Sequence, residues 1–285
     1  MNSTVEAMIG SADAGTLKGV LPVSGGSIND AFRVETNRGM FFLKMNSASR
    51  YPGMFDAEAR GLGLLSVSGF AVPEPIATGL VGEHQFILMQ WMEKGGPGSD
   101  LWSLFGTALA RMHRETAQDF GLDHDNYIGS LPQSNTEHTT WADLYREARL
   151  IPQMELAERS GRLSSRLKRG FDALFNQLDG LFPVEKPALL HGDLWSGNMM
   201  VGPAGTPCIF DPAVYYGHRE MDLAMMALFG GFGHDWVESY NEVYPLEPGW
   251  KQRIPIGQLY PLMVHVNLFG GGYARSVENV LQNYL

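Results

Sequence analysis

The hydrophobic period changes about a third of the way along this 285-residue chain, and that change limits the folds open to it more than any other feature. Before residue 93, short apolar runs are separated by turn residues, the pattern of strands. LKGVLPVS (17–24), AFRVET (31–36) and MFFLKM (40–45) read as an antiparallel meander, with Asn37-Arg38-Gly39 as a tight turn. Phe55, Ala59, Leu62 and Leu65 then recur at helical spacing and predict a helix over 54–67. Pro73 and Pro75 interrupt, and two further strands follow at 75–79 and 84–92. Lys44 ends the third strand, and Glu58 falls fourteen residues later on the apolar stripe of the helix. A charge on that face is costly unless paired, so the spacing alone predicts a Lys44–Glu58 ion pair.

Lys94-Gly95-Gly96-Pro97-Gly98 reads as a hinge, and beyond it the period is helical. Helices are expected at 100–114 (with Ser99 as N-cap), 141–160 and 163–181, with an irregular stretch at 115–140. Pro183 and Pro187 end that run, and the residues from Met221 onward are again mainly helical. The reading is an α+β protein of two lobes. Residues 1–93 form a small antiparallel sheet with one helix, and residues 94–285 form a larger, mainly helical lobe.

Composition narrows the partners. Apolar residues make up 44% of the chain, and the formal net charge is −10 with no Lys/Arg cluster. That argues against a nucleic-acid partner and against an anionic membrane surface. No window approaches 18 uninterrupted apolar residues, and the first fifteen lack signal-peptide character, so a cytoplasmic location is expected. Cys208, the one cysteine, stands among apolar neighbours and reads as a buried structural residue. The sequence carries no signal for an oligomeric state.

The polar residues that stand out lie in the helical part. ALLHGDLWSGNMMVG (188–202) reads as a short strand, a polar loop and a second strand, and TPCIFDP (206–212) supplies a partner strand ending at Asp211. Asp193, Asn198 and Asp211 are oxygen-bearing groups of the kind phosphoryl transfer needs: a carboxylate to take or orient a hydroxyl proton, and oxygens for Mg²⁺. Asp193 and Asn198 also build turns well, so either one alone carries little weight.

HGDLWSGN (191–198) with FDPAVYYGHREMDLAM (210–225) resembles the fructosamine kinase (ketosamine-3-kinase) family. The likeness extends over nearly the whole chain through GGSIN (25–29), FFLKMN (41–46), MFDAEARGLGLL (54–65), DNYIGSLPQSN (125–135), RLIPQM (149–154), ALFGGF (227–232) and NLFGGGY (267–273). HGDxxxxN alone marks only the superfamily; the Trp195 version joined to DPAxYYG is more specific. The resemblance implies a bilobal protein-kinase-like fold, beside aminoglycoside phosphotransferases and choline kinases. It implies ATP and Mg²⁺ as cofactors and phosphorylation of the 3-hydroxyl of a ketosamine, which promotes deglycation. Asp193 would be the catalytic base, Asn198 and Asp211 the metal ligands, and His191 and Asp222 structural supports. One departure stands out: the family usually has an acidic residue in YYGDRE, where this chain has His218.

On the nucleotide side, Lys44, braced by Glu58, would meet the α/β-phosphates. Gly25, Gly26 and Ser27 match no complete phosphate-loop pattern; they form a simple turn or bring backbone N–H groups to phosphate. Position in the fold assigns the backbone of Gln90 and Met92 to the adenine. On the acceptor side, Trp195, Tyr215 and Tyr216 either contact the sugar amine or pack internally, and Glu220 is expected to add a polar contact to it. A kinase for another hydroxylated amine, of aminoglycoside or choline type, is the alternative. A non-catalytic pseudokinase fits less well, because Lys44, Asp193, Asn198 and Asp211 are all present.

Overall fold

The computed structural model describes residues 2–23 and 28–285. Gly25, Gly26 and Ser27 therefore lie outside the described residues. The chain divides into two compact units: Met1–Leu101 with Met199–Pro212, and Trp102–Asn198 with Ala213–Leu285.

The first unit is built on a five-stranded antiparallel sheet in the order β1-β2-β3-β5-β4. The strands are β1 (Leu17–Pro22), β2 (Asp30–Thr36), β3 (Gly39–Ser47), β4 (Pro75–Val81) and β5 (His84–Gln90). Side chains alternate across a strand, so the β3 register decides which residues meet which helix. Leu43 and Met45 join Phe32, Val34, Phe86 and Leu88 in one core. That core is completed by Val5, Met8 and Ile9 of helix α1 (Asn2–Ser11). Lys44, between Leu43 and Met45, takes the opposite face, where α2 (Met54–Leu65) packs.

Helix α1 is additional to the single helix expected of this unit. Its only sequence signal is Val5, Met8 and Ile9 at i, i+3, i+4, too short a stripe to stand out in a segment holding Gly10 and two serines.

The second departure concerns the hinge. The expected boundary at residue 93 falls inside the first unit, because the Gly95 N–H donates to the Val201 carbonyl at 2.8 Å. Strands β9 (Met199–Val201) and β10 (Pro207–Ile209) form a hairpin, and Ala71 pairs with it through Ala71 N–H to Pro207 O and Ile209 N–H to Ala71 O, both 3.0 Å. A local reading assigns this hairpin to the helical part of the chain; its hydrogen bonds attach it to the sheet unit. Cys208 is fully buried there, and burial pushes its thiol up to about 12, so it is an inert packing residue.

The second unit holds α3 (Leu101–Arg114), which begins at the unit boundary, and a small hairpin of β6 (Asn126–Ile128) and β7 (Leu131–Gln133). The helix expected over 141–160 is present in three parts. These are α4 (Trp141–Asp143), a π-helical segment (Leu144–Leu150) and α5 (Ile151–Arg159). After α6 (Ser165–Phe175), strand β8 (Ala188–Leu190) pairs antiparallel with β11 (Tyr215–Gly217). Five helices close the chain: α7 (Glu220–Phe229), α8 (Trp236–Val243), α9 (Trp250–Gly257), α10 (Leu259–Phe269) and α11 (Tyr273–Leu281). Helix α10 is apolar nearly all round and buried from Leu259 to Val264, as a central core helix must be. Among the described residues no helix is long and apolar enough to cross a membrane.

Candidate active site

In the first unit, Lys44 Nζ lies 2.7 Å from Glu58 Oε1 and 2.5 Å from Asp211 Oδ1. The pairing anticipated from spacing is the one found, and Asp211 joins it. Burial by itself would lower the Lys44 pKa; the Asp211 and Glu58 carboxylates overcome that and hold it above the ordinary lysine value. Burial pushes the Glu58 carboxyl up against the pull of Lys44. The Asp211 carboxylate is 44% exposed, and its backbone sits at φ 56°, a left-handed conformation that costs about 1 kcal/mol or more in a non-glycine residue. Strain at a half-exposed charge is characteristic of a functional position.

In the second unit, the loop after β8 is fixed by one carboxylate. Asp222, in the first turn of α7, accepts from the backbone N–H of His191 at 2.8 Å and of Gly192 at 2.9 Å. His113 Nε2 also approaches it at 3.3 Å, and His113 Nδ1 is 2.8 Å from the Tyr240 hydroxyl. Burial lowers the His113 pKa, so the ring is a neutral, satisfied core group. Gly192 has φ 80°, and a Cβ there would lie 2.0 Å from the Ala213 carbonyl oxygen, so only glycine fits. His191 is fully buried; its Nδ1 accepts from the Asp193 N–H at 3.2 Å and its carbonyl accepts from Ala213 N–H at 2.9 Å.

Asp193 is thereby held at the loop apex. Asn198 Nδ2 donates to both the Asp193 carbonyl (2.9 Å) and the Asp193 Oδ2 (3.0 Å). Asn198 commits its nitrogen to Asp193, so its oxygen is the atom it can offer a hard cation. Trp195, between them in sequence, is 38% exposed with its ring edge-on to Phe229 at 5.8 Å.

Two of the expected acceptor contacts are corrected by burial. Tyr215 is 2% exposed, with the Arg149 guanidinium 4.0 Å over its ring. Burial pushes its phenol up to about 12 against the pull of Arg149. Glu220 is 1% exposed and paired with Arg253 through Nη2 to Oε1 at 2.6 Å. Both side chains serve the interior of the unit. Tyr216 is half-buried, and its backbone exchanges two 2.8 Å hydrogen bonds with Gly121. Gln90 has already donated its N–H, to Glu74 O at 2.9 Å, while Met92 lies beyond the end of β5.

The residue that sequence reasoning missed is Arg149, fully buried in the π-helical segment. It donates to the Ser134 carbonyl, to Ala148 O at 3.2 Å and to Asn135 Oδ1 at 2.7 Å, and lies between the rings of Tyr215 and Tyr260. Asn126 and Gln133 continue the network, donating to the Val214 carbonyl at 2.8 Å and the Ala213 carbonyl at 3.2 Å. The strand that closes on the Asp193 loop is thus anchored by buried polar groups from 126–149. Their signal lies in DNYIGSLPQSN and RLIPQM, where hydrophobic spacing gives these polar residues no role. The interruption of helical period that marks a π segment cannot be seen in hydrophobic spacing.

His218, the position at which the resemblance leads us to expect an acid, is also interior. Its ring is fully buried, 5.0 Å from that of Phe182 and 6.1 Å from that of Trp141. Burial drives its pKa down to about 3. Its Nε2 is 3.7 Å from Glu185, which would favour the cation. That carboxylate, however, is engaged bidentately by Arg219 at 2.5 and 2.9 Å, so the neutral ring prevails. The substitution belongs to the packing behind β11 and not to an acceptor surface.

A buried lysine–glutamate pair between sheet and helix and a strained aspartate after a hairpin stand in the first unit, and a braced Asp–Asn loop in the second; the fold is that of the protein-kinase-like phosphotransferases. The fold is shared with the aminoglycoside phosphotransferase APH(4)-Ia over the full length of both chains, at 15% identity and a TM-score of 0.66. The chain belongs to the fructosamine kinase family, whose model matches residues 1–285. It is 40% identical over 268 residues to a candidate ketoamine kinase from Enterococcus faecium, covering 93% of this chain and 95% of that one. It is 39% identical over 269 residues to the chloroplastic protein-ribulosamine 3-kinase of Arabidopsis thaliana, covering 92% and 81%. A crystal structure of a candidate fructosamine-3-kinase from Thermobifida fusca superposes with a TM-score of 0.89 at 35% identity, covering 98% and 97%.

Proposed function

We propose that this protein is an ATP-dependent kinase of ketosamines that phosphorylates the sugar 3-hydroxyl, with Asp193 as the group that takes the hydroxyl proton. The observation that carries the residue assignment is the fixation of Asp193: two backbone N–H bonds to Asp222 hold its loop, and Asn198 holds its carboxylate. A base must be positioned before its basicity matters. Transfer of the O3 proton to Asp193 leaves the oxygen as nucleophile toward the γ-phosphorus, and ADP departs.

Lys44, kept cationic by Glu58 and Asp211, is suited to the α/β-phosphates. Asn198, through its amide oxygen, and Asp211, through its carboxylate, would each offer Mg²⁺ the oxygen ligand that a hard cation takes. Among the described residues no three His, Cys, Asp or Glu side chains cluster as a metal cage. Mg²⁺ at such a site would be held by one or two protein oxygens and the substrate phosphates, whose charge it would neutralise. With the Gln90 N–H engaged, Met92 is the better backbone partner for adenine. A phosphate on C3 is set to leave when the neighbouring C2 carbonyl enolises toward C1; hydrolysis of the resulting imine returns the free amine. Both fructosamines and ribulosamines present this arrangement.

The test is ADP release with fructosyl- and ribulosyl-amines, aminoglycosides and choline, comparing wild type with Asp193→Asn. The expected result is turnover on ketosamines only, with kcat reduced at least a hundredfold in the variant. Equal rates for the two proteins would remove Asp193 from the role, and turnover on aminoglycosides alone would remove the substrate assignment.

A further inference from the structure

Helices α7 and α10 end on the same four residues, Leu-Phe-Gly-Gly, at 228–231 and 268–271. In each, the first glycine breaks the helix in a conformation essentially reserved for glycine, φ 66° with ψ −155° at Gly230 and φ 66° with ψ −137° at Gly270. The break leaves a phenylalanine as the last helical residue in both cases. Neither ring is used to fill the core: Phe229 is 39% exposed and Phe269 is 60% exposed.

His265 lies between the two rings, with centroids 5.1 Å from Phe229 and 5.4 Å from Phe269. Its Nδ1 is 2.7 Å from the Pro261 carbonyl, which assigns the proton to that nitrogen and fixes the ring. Tyr273 closes on the same histidine at 5.0 Å. At the other end Phe229 meets Trp195, two residues from Asp193. Trp195, Phe229, His265 and Phe269 therefore form one continuous aromatic row, running from the loop that carries Asp193 to the surface of the helical unit.

We infer that this row binds the amine carrier of the ketosamine, the methylene stem or ring to which the sugar is attached, and so sets which glycated amines are preferred. The inference rests on the ketosamine kinase reading. If the sugar presents its 3-hydroxyl to Asp193, the substituent on C1 must extend away from that group, and Trp195, two residues on in the same loop, opens the row. The chemistry matches: a protonated secondary amine is attracted to aromatic faces, and its carbon stem to their apolar surface. The carbonyl end of α7, at Phe229, adds partial negative charge toward a cation. The last carbonyls of α10 are already capped by Arg162, through Val266 O at 2.9 Å and Asn267 O, so the outer end of the row favours the apolar part of the carrier.

The experiment compares kcat/KM for the fructosamine of phenethylamine with that of methylamine, whose carrier is too short to follow the row. Wild type is expected to favour the phenethylamine adduct roughly tenfold, the scale of discrimination set by an apolar contact. F229A and F269A are each expected to cut that ratio several-fold, and F269Y to restore it. A ratio unchanged in both alanine variants, or the same loss on both adducts, would overturn the inference, since a structural role would weaken both substrates together. Absence of turnover on either adduct by wild type would instead bring down the kinase reading, and this inference with it.

Discussion

His218 is a fully buried histidine with an aromatic surround, its ring packed near those of Phe182 and Trp141. With its pKa depressed from 6.5 to about 3, His218 binds no proton in the folded protein over a range where the unfolded chain does. Its contribution to stability is complete above about pH 6.5 and is lost as pH falls toward 3. We predict that the urea midpoint of wild type drops between pH 7 and 5 by more than that of His218→Gln. The difference is expected to approach 1.4 kcal/mol per pH unit. His113, also lowered by burial, remains in both proteins and cancels from the comparison. Parallel pH profiles would show that His218 is protonated in the fold. Lys44 shows the opposite behaviour at the same scale. Its two carboxylate partners outweigh desolvation, so its charge persists across the working pH range.

Among elements, the loop between β8 and β9 is tightly specified. Gly192 must accept φ 80° while its α-carbon faces the Ala213 carbonyl, and the N–H groups of 191 and 192 must reach Asp222. Gly192→Ala is predicted to lose activity by at least tenfold through displacement of Asp193. It should also lower stability by about 1–3 kcal/mol, as expected for a forced left-handed alanine. Kinetics and denaturant melting would check both, and wild-type values in either would contradict the steric account. Gly192 and Asp193 of this loop were legible as part of a motif. Which helix supplied the brace was legible only through the family resemblance, because Asp222 lies thirty residues from Gly192 in sequence.

At the scale of the whole molecule, the two units do not follow the chain in order. The chain leaves the helical unit after Asn198, completes the sheet unit with a hairpin, and returns after Pro212. Asn198 and Asp211 stand at the two ends of that excursion. A fragment of residues 1–101 lacks the partner of Ala71 and Gly95 and leaves their hydrogen-bonding groups unsatisfied. We predict that it fails to fold cooperatively by itself, shown by a broad thermal transition and poorly dispersed amide resonances. A sharp transition would mean that the hairpin is dispensable. The sequence by itself determined the sheet-then-helix order, the β3 lysine with its α2 glutamate, and the Asp–Asn loop. Each of these depends on spacing within an element or on a contiguous motif. The tertiary structure alone decided that Tyr215 and Glu220 face inward, that Arg149 is buried among polar groups, and that residues 199–212 belong with the sheet. Those outcomes depend on which distant segments bury a side chain or satisfy a backbone group, and hydrophobic period does not encode a partner a hundred residues away.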